Sequence, residues 1–215
     1  MRPLFVLVPS LISTGPIKGA VALCNALASD FNVTLVALKQ APPFAGYLDP
    51  RVRRVELGNV GGSRVYHGML KEIGALRRSI SLSFCFSADL ANFRVRRQAI
   101  TLTSIRGHLP RTYSIDYGLV GRILAFLHYS LAARLDHVIG MTERMAAEFA
   151  AITRKKPIII GNFIDEKQIE TFRRPPPTEP FTRHEWRFVF VGRLNPLKCP
   201  DMVIKAFCSI AAQGA

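Results

Sequence analysis

The stretch LFVLVPSLISTGPIKGAVALCNALASDFNVTLVALK, residues 4–39, decides the fold class because it combines two hydrophobic periods. Residues 4–8 form a continuous apolar run, the pattern of a strand covered on both faces of a parallel sheet. Residues 21–27 repeat apolar side chains at helical spacing, and residues 33–39 form a second strand pattern. A strand, a helix and a strand in this order predict a βαβ unit, whose two strands are parallel.

Strand and helix patterns continue to alternate as far as residue 164. Apolar runs bounded by turn residues predict strands, and apolar side chains at helical spacing predict the helices between them. The further predicted strands are 53–57, 79–86, 98–104, 137–141 and 157–163, and the predicted helices are 65–78, 88–93, 119–135 and 142–152, the last with Thr142 as N-cap. This alternation predicts an α/β fold with a doubly wound, mostly parallel Rossmann-like sheet.

The pattern changes after residue 164, and we divide the chain there. Residues 165–186 include three consecutive prolines, which exclude a regular helix and favour an extended spacer, so we predict a linker. Residues 187–215 carry one strand pattern and one helix pattern, too little to bury a core alone. We therefore expect residues 1–164 to form one Rossmann-like domain and residues 187–215 to begin a second.

The composition is strongly basic, with 29 lysines and arginines against 15 aspartates and glutamates and a formal net charge of +14. This excess favours an anionic partner, which can be nucleic acid, an anionic bilayer or a phosphate-bearing ligand. The apolar run at residues 4–8 is far shorter than the about 20 residues of a membrane-spanning helix, so we expect a cytoplasmic protein. The four cysteines show no C-x-x-C spacing and lie in apolar runs, so we expect them to be reduced and buried.

Glycine-bearing loops follow three of the predicted strands, at the edge where open α/β sheets bind ligands. In the first loop, Gly15 and Gly19 precede a predicted helix N-terminus, a natural seat for a phosphate, although the loop can also be a plain turn. The loop has neither the G-x-G-x-x-G nor the P-loop spacing, so the sequence does not favour a dinucleotide cofactor or nucleotide hydrolysis. The second loop, residues 58–62, can form an amide nest or an ordinary turn.

The third loop brings Arg106 and His108 to the same edge, directly after the strand predicted at 98–104. A single histidine is more often structural than catalytic, so both roles stay open for His108.

Arg193 and Lys198 follow a further predicted strand. A guanidinium binds phosphate bidentately and an ammonium adds a compact point charge, so the two side chains suit a diphosphate. The alternative is two solvated basic residues in a loop.

The segments VGRLNPLK (191–198) and DMVIKAF (201–207) resemble the Gly-Arg-Leu and lysine motif that opens the C-terminal domain of group 1 (family 4) glycosyltransferases of the GT-B fold. Residues 14–38 are similar to the glycine loop, first helix and second strand of that family. Residues 136–149 and 157–165 resemble the elements that close its N-terminal domain. These similar segments occur in the order that the family shows.

This resemblance implies an enzyme that transfers a sugar, with retention of configuration, from a nucleotide diphosphate sugar to a glycan or lipid-linked acceptor, without a metal or other cofactor. It implies that Arg193 and Lys198 hold the donor diphosphate, with the backbone at Gly15 approaching it from the other domain. It implies catalytic roles for Arg106 and His108. Cys199 stands where the family commonly has glycine. The paired glutamates of the family are not within these 215 residues, so we expect this chain alone to have little transferase activity.

The basic residues of the N-terminal domain also favour peripheral attachment to the inner face of a membrane. They are Arg51, Arg53, Arg54, Lys71, Arg77, Arg78, Arg94, Arg96 and Arg97. Other functions compatible with the sequence are a non-catalytic half that binds an acceptor or a partner, and a GT-B sugar epimerase. Charge alone favours a nucleic-acid-binding module, and without an aromatic or zinc-ligand signature we expect no nucleic acid partner.

Overall fold

The computed structural model describes residues 1–40, 46–58, 64–76, 78–162, 164, 166–171, 188–192, 194, 196 and 198–212. In this part of the chain the strands are β1 (Arg2–Val8), β2 (Phe31–Ala37), β3 (Arg53–Glu56), β4 (Ile80–Phe84), β5 (Ile100–Ile105), β6 (His137–Gly140) and β7 (Ile158–Ile159). The helices are α1 (Gly15–Leu27), α2 (Arg64–Ala75), α3 (Phe86–Val95), α4 (Leu109–Ala133), α5 (Glu143–Thr153), α6 (Glu166–Thr171) and α7 (Pro200–Ala212).

All seven strands form one parallel sheet in the order β3-β2-β1-β4-β5-β6-β7. The predicted α/β fold with a doubly wound, Rossmann-like sheet is therefore confirmed. The chain order reverses between β1 and β4, because β2 and β3 extend the sheet to one side of β1 and β4 to β7 extend it to the other. Open α/β sheets bind ligands at the carboxyl ends of the strands that flank such a switch point.

The continuous apolar run of β1 is explained by cores on both faces of the sheet. Val6 packs with α1 on one face, and Phe5 and Leu7 pack with α2 and α3 on the other. A further cluster, which includes Tyr129 and Phe149, joins α4 and α5 to the outer strands β5 and β6. Each of these side chains contributes about 1.5–3 kcal/mol by leaving water.

Helix α1 begins earlier than the sequence predicts. Gly15 is its first residue and Gly19 is buried inside it, so the prediction of a loop that holds both glycines is wrong for Gly19. The reason is local, because Thr14 has the extended backbone of an N-cap and Pro16 occupies the first turn, where a proline favours the start of a helix.

Helix α4 is longer than the predicted helix at 119–135 because it begins at Leu109. The backbone breaks at Gly118, with φ 59° and ψ −137°, so α4 consists of two helical halves. The halves approach closely, since a Cβ added to Gly121 would lie 1.9 Å from the carbonyl oxygen of Tyr113. Gly118 supplies the left-handed backbone angle and Gly121 supplies the space.

The C-terminal part differs from its prediction in two described places. Residues 166–171 of the predicted linker form helix α6, while residues 165 and 172–186 lie outside the described residues. Residues 188–192, predicted as part of a strand, belong to no strand in the structure, because no strand among the described residues pairs with their backbone. The helix predicted after them is present as α7, and the division into domains stays a prediction.

The cysteines also differ from their prediction. All four are free, but only Cys24 is buried, whereas Cys85 and Cys208 are exposed and Cys199 is intermediate. Cys85 is exposed because it lies in the turn between β4 and α3, and Cys208 because α7 is exposed along its length.

We expect Gly121→Ala to lower the free energy of unfolding by about 1–3 kcal/mol, because the new methyl group overlaps a backbone carbonyl. Gly68→Ala is the matched control, since a Cβ there meets nothing within 4 Å and alanine favours a helix by about 0.5–1 kcal/mol. Urea unfolding followed by circular dichroism measures both variants. Equal stability of the two would contradict the close approach at Gly121.

Candidate functional site at the switch point

The N-terminus of α1 opens the candidate site at the carboxyl end of β1. Thr14 is the N-cap but makes no side-chain capping bond, so the amides of the first turn are available to an anion. Nothing lies within 4 Å of the position that a Cβ on Gly15 would occupy. The structure thus places Gly15, as predicted from sequence, at the open end of a helix beside the switch point.

Arg106 is held in place where β5 ends. Its Nε donates to Ser104 Oγ at 3.0 Å, and its Nη1 donates to Asn162 Oδ1, which follows β7. The guanidinium carbon lies 5.3 Å from the centre of the Phe84 ring at the end of β4. Partial burial lowers the pKa of Arg106 from its ordinary value, but the group remains a cation at neutral pH.

The α1 N-terminus and Arg106 lie on the same side of the sheet. Phe84 packs in the core that α1 covers, and Ser104 is registered with Phe84 on the neighbouring strand. Because β4 alone separates β1 from β5, the two carboxyl ends are about 10 Å apart, or two strand spacings. Backbone amides at a helix N-terminus and a fixed guanidinium are both groups that bind phosphate oxygens, and this face of the sheet carries one of each.

His108 lies at the same edge, but its ring is engaged in holding helices together. It is the N-cap of α4, with Nδ1 accepting from the backbone N–H of Arg111 at 2.9 Å. Its Nε2 lies 2.8 Å from Glu148 Oε1 on α5. Since Nδ1 accepts, Nε2 carries the proton and donates to Glu148. Both ring nitrogens therefore have structural partners, and the catalytic role of His108 stays a prediction.

Of the residues expected to bind the diphosphate, Arg193 lies outside the described residues. Lys198 is exposed at the start of the C-terminal helical region. Its Cγ lies 3.7 Å from the position that a Cβ on Gly192 would occupy, so the turn folds Lys198 back towards the residue that precedes Arg193. The structure thus brings Gly15, Arg106 and His108 to one edge of the sheet. Lys198 lies in the turn before α7, beside Gly192.

A buried polar network on the other face of the sheet was missed by the sequence analysis. The Asp89 carboxylate, 1% exposed, accepts from Ser83 Oγ at 2.6 Å and Thr103 Oγ1 at 2.7 Å, and it lies 2.6 Å from His128 Nε2. His128 Nδ1 in turn lies 3.0 Å from the hydroxyl of Tyr113. With Nε2–H donating to the carboxylate, Nδ1 accepts from the tyrosine O–H. Consecutive hydrogen bonds thus join Asp89, His128 and Tyr113, and they link the core to α4.

Tyr113 and Cys85 lie where this network approaches the surface. Burial, with the nearby Cys85 and Asp89 charges, raises the pKa of Tyr113 to about 12, so the phenol is neutral at neutral pH. Cys85 follows β4 directly and has φ 72°, a backbone angle that costs a non-glycine residue about 1–3 kcal/mol. Although the residue is exposed, neighbouring protein displaces water from its thiol, and this effect, with the charge of Asp89, raises the pKa of Cys85 to about 11.

Within the described residues, no group of three or more histidine, cysteine, aspartate and glutamate side chains is arranged to hold a metal ion. The groups that the described residues place at this edge include the amides at the start of α1 and the guanidinium of Arg106. These groups bind and orient an anion by hydrogen bonds and fixed positive charge.

We expect His108→Ala to lower the free energy of unfolding by about 1 kcal/mol, because the cap of α4 is lost. His108→Asn is the matched variant, since asparagine also caps a helix and should recover most of the stability. Thermal unfolding measures this difference. If asparagine is as destabilising as alanine, the cap is not what His108 contributes; a stable asparagine variant that loses catalysis would reveal a chemical role.

We expect Cys85 to react slowly with iodoacetamide despite its exposure. A thiol with a pKa of about 11 is ionised in about one molecule in a thousand at pH 8, against about a quarter for an ordinary thiol. The rate should rise about a hundredfold between pH 8 and pH 10, because the thiolate is the reacting form. Peptide mass spectrometry measures it, with the exposed Cys208 as internal comparison; a Cys85 rate equal to that of Cys208 at pH 8 would contradict the raised pKa.

Comparison with known protein families finds no family that matches the chain. Comparison with curated proteins likewise finds no match. The likeness of residues 191–207 to group 1 glycosyltransferases therefore stays a prediction that rests on the motif itself.

Proposed function

We propose that the protein is a glycosyltransferase that moves a sugar from a nucleotide diphosphate sugar to a glycan or lipid-linked acceptor. The observation that carries the proposal is the fixed, partly buried guanidinium of Arg106, on the same face of the sheet as the open N-terminus of α1. Arginine and helix amides are the groups that proteins use to bind diphosphates.

In the proposed transfer, the bond between the anomeric carbon and the phosphate oxygen breaks as the acceptor oxygen bonds to the same face of that carbon, and the proton of the acceptor hydroxyl passes to an oxygen of the leaving diphosphate. Negative charge accumulates on the leaving diphosphate, and fixed positive groups stabilise it more in the transition state than in the substrate. Arg106 is suited to this role because Ser104 and Asn162 already hold it, so little reorganisation is needed. Arg193 and Lys198 supply further positive charge to the same diphosphate in this proposal.

The acceptor binds beside the sheet edge, and a lipid-linked acceptor requires the enzyme to work at a membrane surface. No helix in the described ranges is long and apolar enough to cross a membrane. We propose a place on the cytoplasmic side with peripheral attachment, because the basic composition favours an anionic surface.

The test is calorimetry, which measures the binding of uridine, guanosine and adenosine diphosphates to the 215-residue chain. Arg106→Ala should weaken binding of the preferred nucleotide by about tenfold or more, because a charge-assisted hydrogen bond contributes about 1.5–3 kcal/mol. Arg97→Ala is the matched control, since Arg97 is exposed at the opposite edge of the sheet and its loss changes the net charge equally.

Sugar transfer is then measured with the corresponding nucleotide sugars and a membrane lipid extract. Because little transfer is expected of this chain alone, the result that would contradict the proposed site is nucleotide binding that is unchanged in Arg106→Ala. Nucleotide-independent, salt-sensitive binding of a random oligonucleotide would favour a nucleic-acid module and overturn the proposal.

A further inference from the structure

The second half of α4 exposes a continuous apolar surface. We call it the α4 apolar face, and it consists of Leu119, Val120, Ile123, Phe126 and Leu127, which are 50–82% exposed. Their spacing places them on one side of the helix. Large exposed apolar patches on a folded protein mark sites of interaction with another surface.

This face is not the one that attaches α4 to the rest of the protein. The opposite side of the helix is buried through Gly121, Ala125, His128, Tyr129 and Ala132. His128 is bonded to the Asp89 network, and Tyr129 packs its ring edge-on against Phe149 of α5 at a centroid distance of 5.1 Å. The inner face of α4 is therefore fully used by the core, and the outer face is a second apolar side.

Two further apolar side chains are exposed in the first half of α4, before the break at Gly118. Tyr117, 59% exposed, and Ile115, 41% exposed, lie immediately before the break, next to Leu119 in the chain. A tyrosine beside large aliphatic side chains is typical of a surface that meets the boundary between water and lipid, because the ring is apolar and the hydroxyl is polar.

The charges near the face are mainly positive. Between Leu109 and Arg134 the charged residues are Arg111, Arg122 and Arg134 and one acidic residue, Asp116, and all four are exposed. By contrast, three of the arginines expected to attract a membrane form salt bridges: Arg51 with Asp49, Arg53 with Glu72 and Arg54 with Glu56. Carboxylates therefore neutralise part of the positive charge at those three arginines.

We propose that the α4 apolar face binds the surface of an anionic lipid bilayer, with the apolar side chains entering the boundary of the acyl chains and Arg122 near the lipid phosphates. A bilayer accommodates both features, because it presents hydrocarbon beneath negative charge. A second copy of the chain fits less well, because it would bring Arg122 of one copy towards that of the other, on molecules that each carry a formal net charge of +14. The inference rests on the peripheral location proposed above and not on sugar transfer.

The test is co-sedimentation of the 215-residue chain with vesicles of phosphatidylcholine alone and of phosphatidylcholine mixed equally with phosphatidylglycerol. The wild-type chain should bind the anionic vesicles more tightly, and salt should weaken this binding. The triple variant Leu119→Ser, Ile123→Ser, Phe126→Ser should bind them about tenfold or more weakly. Arg122→Gln should reduce the difference between the two kinds of vesicle.

The matched control is the triple variant Met202→Ser, Ile204→Ser, Ile210→Ser, which removes exposed apolar side chains from α7 instead. It should bind vesicles like the wild-type chain. Circular dichroism and thermal unfolding confirm that each variant is folded, as expected for substitutions at exposed positions.

Wild-type vesicle binding by the folded α4 triple variant would overturn the inference. So would a wild-type dimer in sedimentation equilibrium that the same variant abolishes while its vesicle binding is unchanged, since the face would then be an interface between copies. Nucleoside diphosphate binding is measured on the same samples. Vesicle binding that depends on α4 without any nucleotide binding would support this inference while the proposed function fails.

Discussion

The structure around the candidate site depends on the buried carboxylate of Asp89. A carboxylate removed from water is strongly destabilising unless hydrogen-bond donors surround it. Asp89 accepts hydrogen bonds from a hydroxyl of β4, a hydroxyl of β5 and the ring nitrogen of His128. One side chain of α3 therefore connects β4, β5 and α4. Asn92, one turn further along α3, donates hydrogen bonds from Nδ2 to Ser83 Oγ and to the Leu102 carbonyl. This network fixes the strand ends that carry Cys85 and Arg106, and it orients α4.

The orientation of α4 links the core to the exposed surface. Because His128 faces inward to Asp89, the residues on the opposite side of the helix must face outward, and in this sequence they are large and apolar. Serines or lysines at those positions would leave the inner packing unchanged. The core therefore does not require the outer face to be apolar. Contact with another apolar surface explains why it is.

Local patterns predicted most of the sheet because its strands are short apolar runs with cores on both faces. The predictions failed where a residue type is compatible with more than one local structure. Pro110 and Gly118 resemble helix breakers, but Pro110 starts α4 and Gly118 bends it, so the first half of the helix was missed. The apolar run at 188–192 has a strand pattern, yet a strand needs a neighbour and the described structure provides none. The Asp89 network joins residues 39 positions apart, and its one local signal was the alternation of serines in β4 and threonines in β5 within apolar runs.

Partial burial of Arg106 is the physical reason to expect an anion at this edge. A guanidinium that has lost water is less stable as a cation, which is why its pKa is lowered. An anion that replaces the missing water restores the favourable interaction, so part of the desolvation cost is recovered on binding. The amides at the start of α1, on the same face of the sheet, are a second set of donors for the proposed ligand. In the proposed site a diphosphate offers oxygens on two phosphorus atoms to these two kinds of donor, whereas a simple phosphate offers oxygens on one, and this is the reason for proposing a diphosphate.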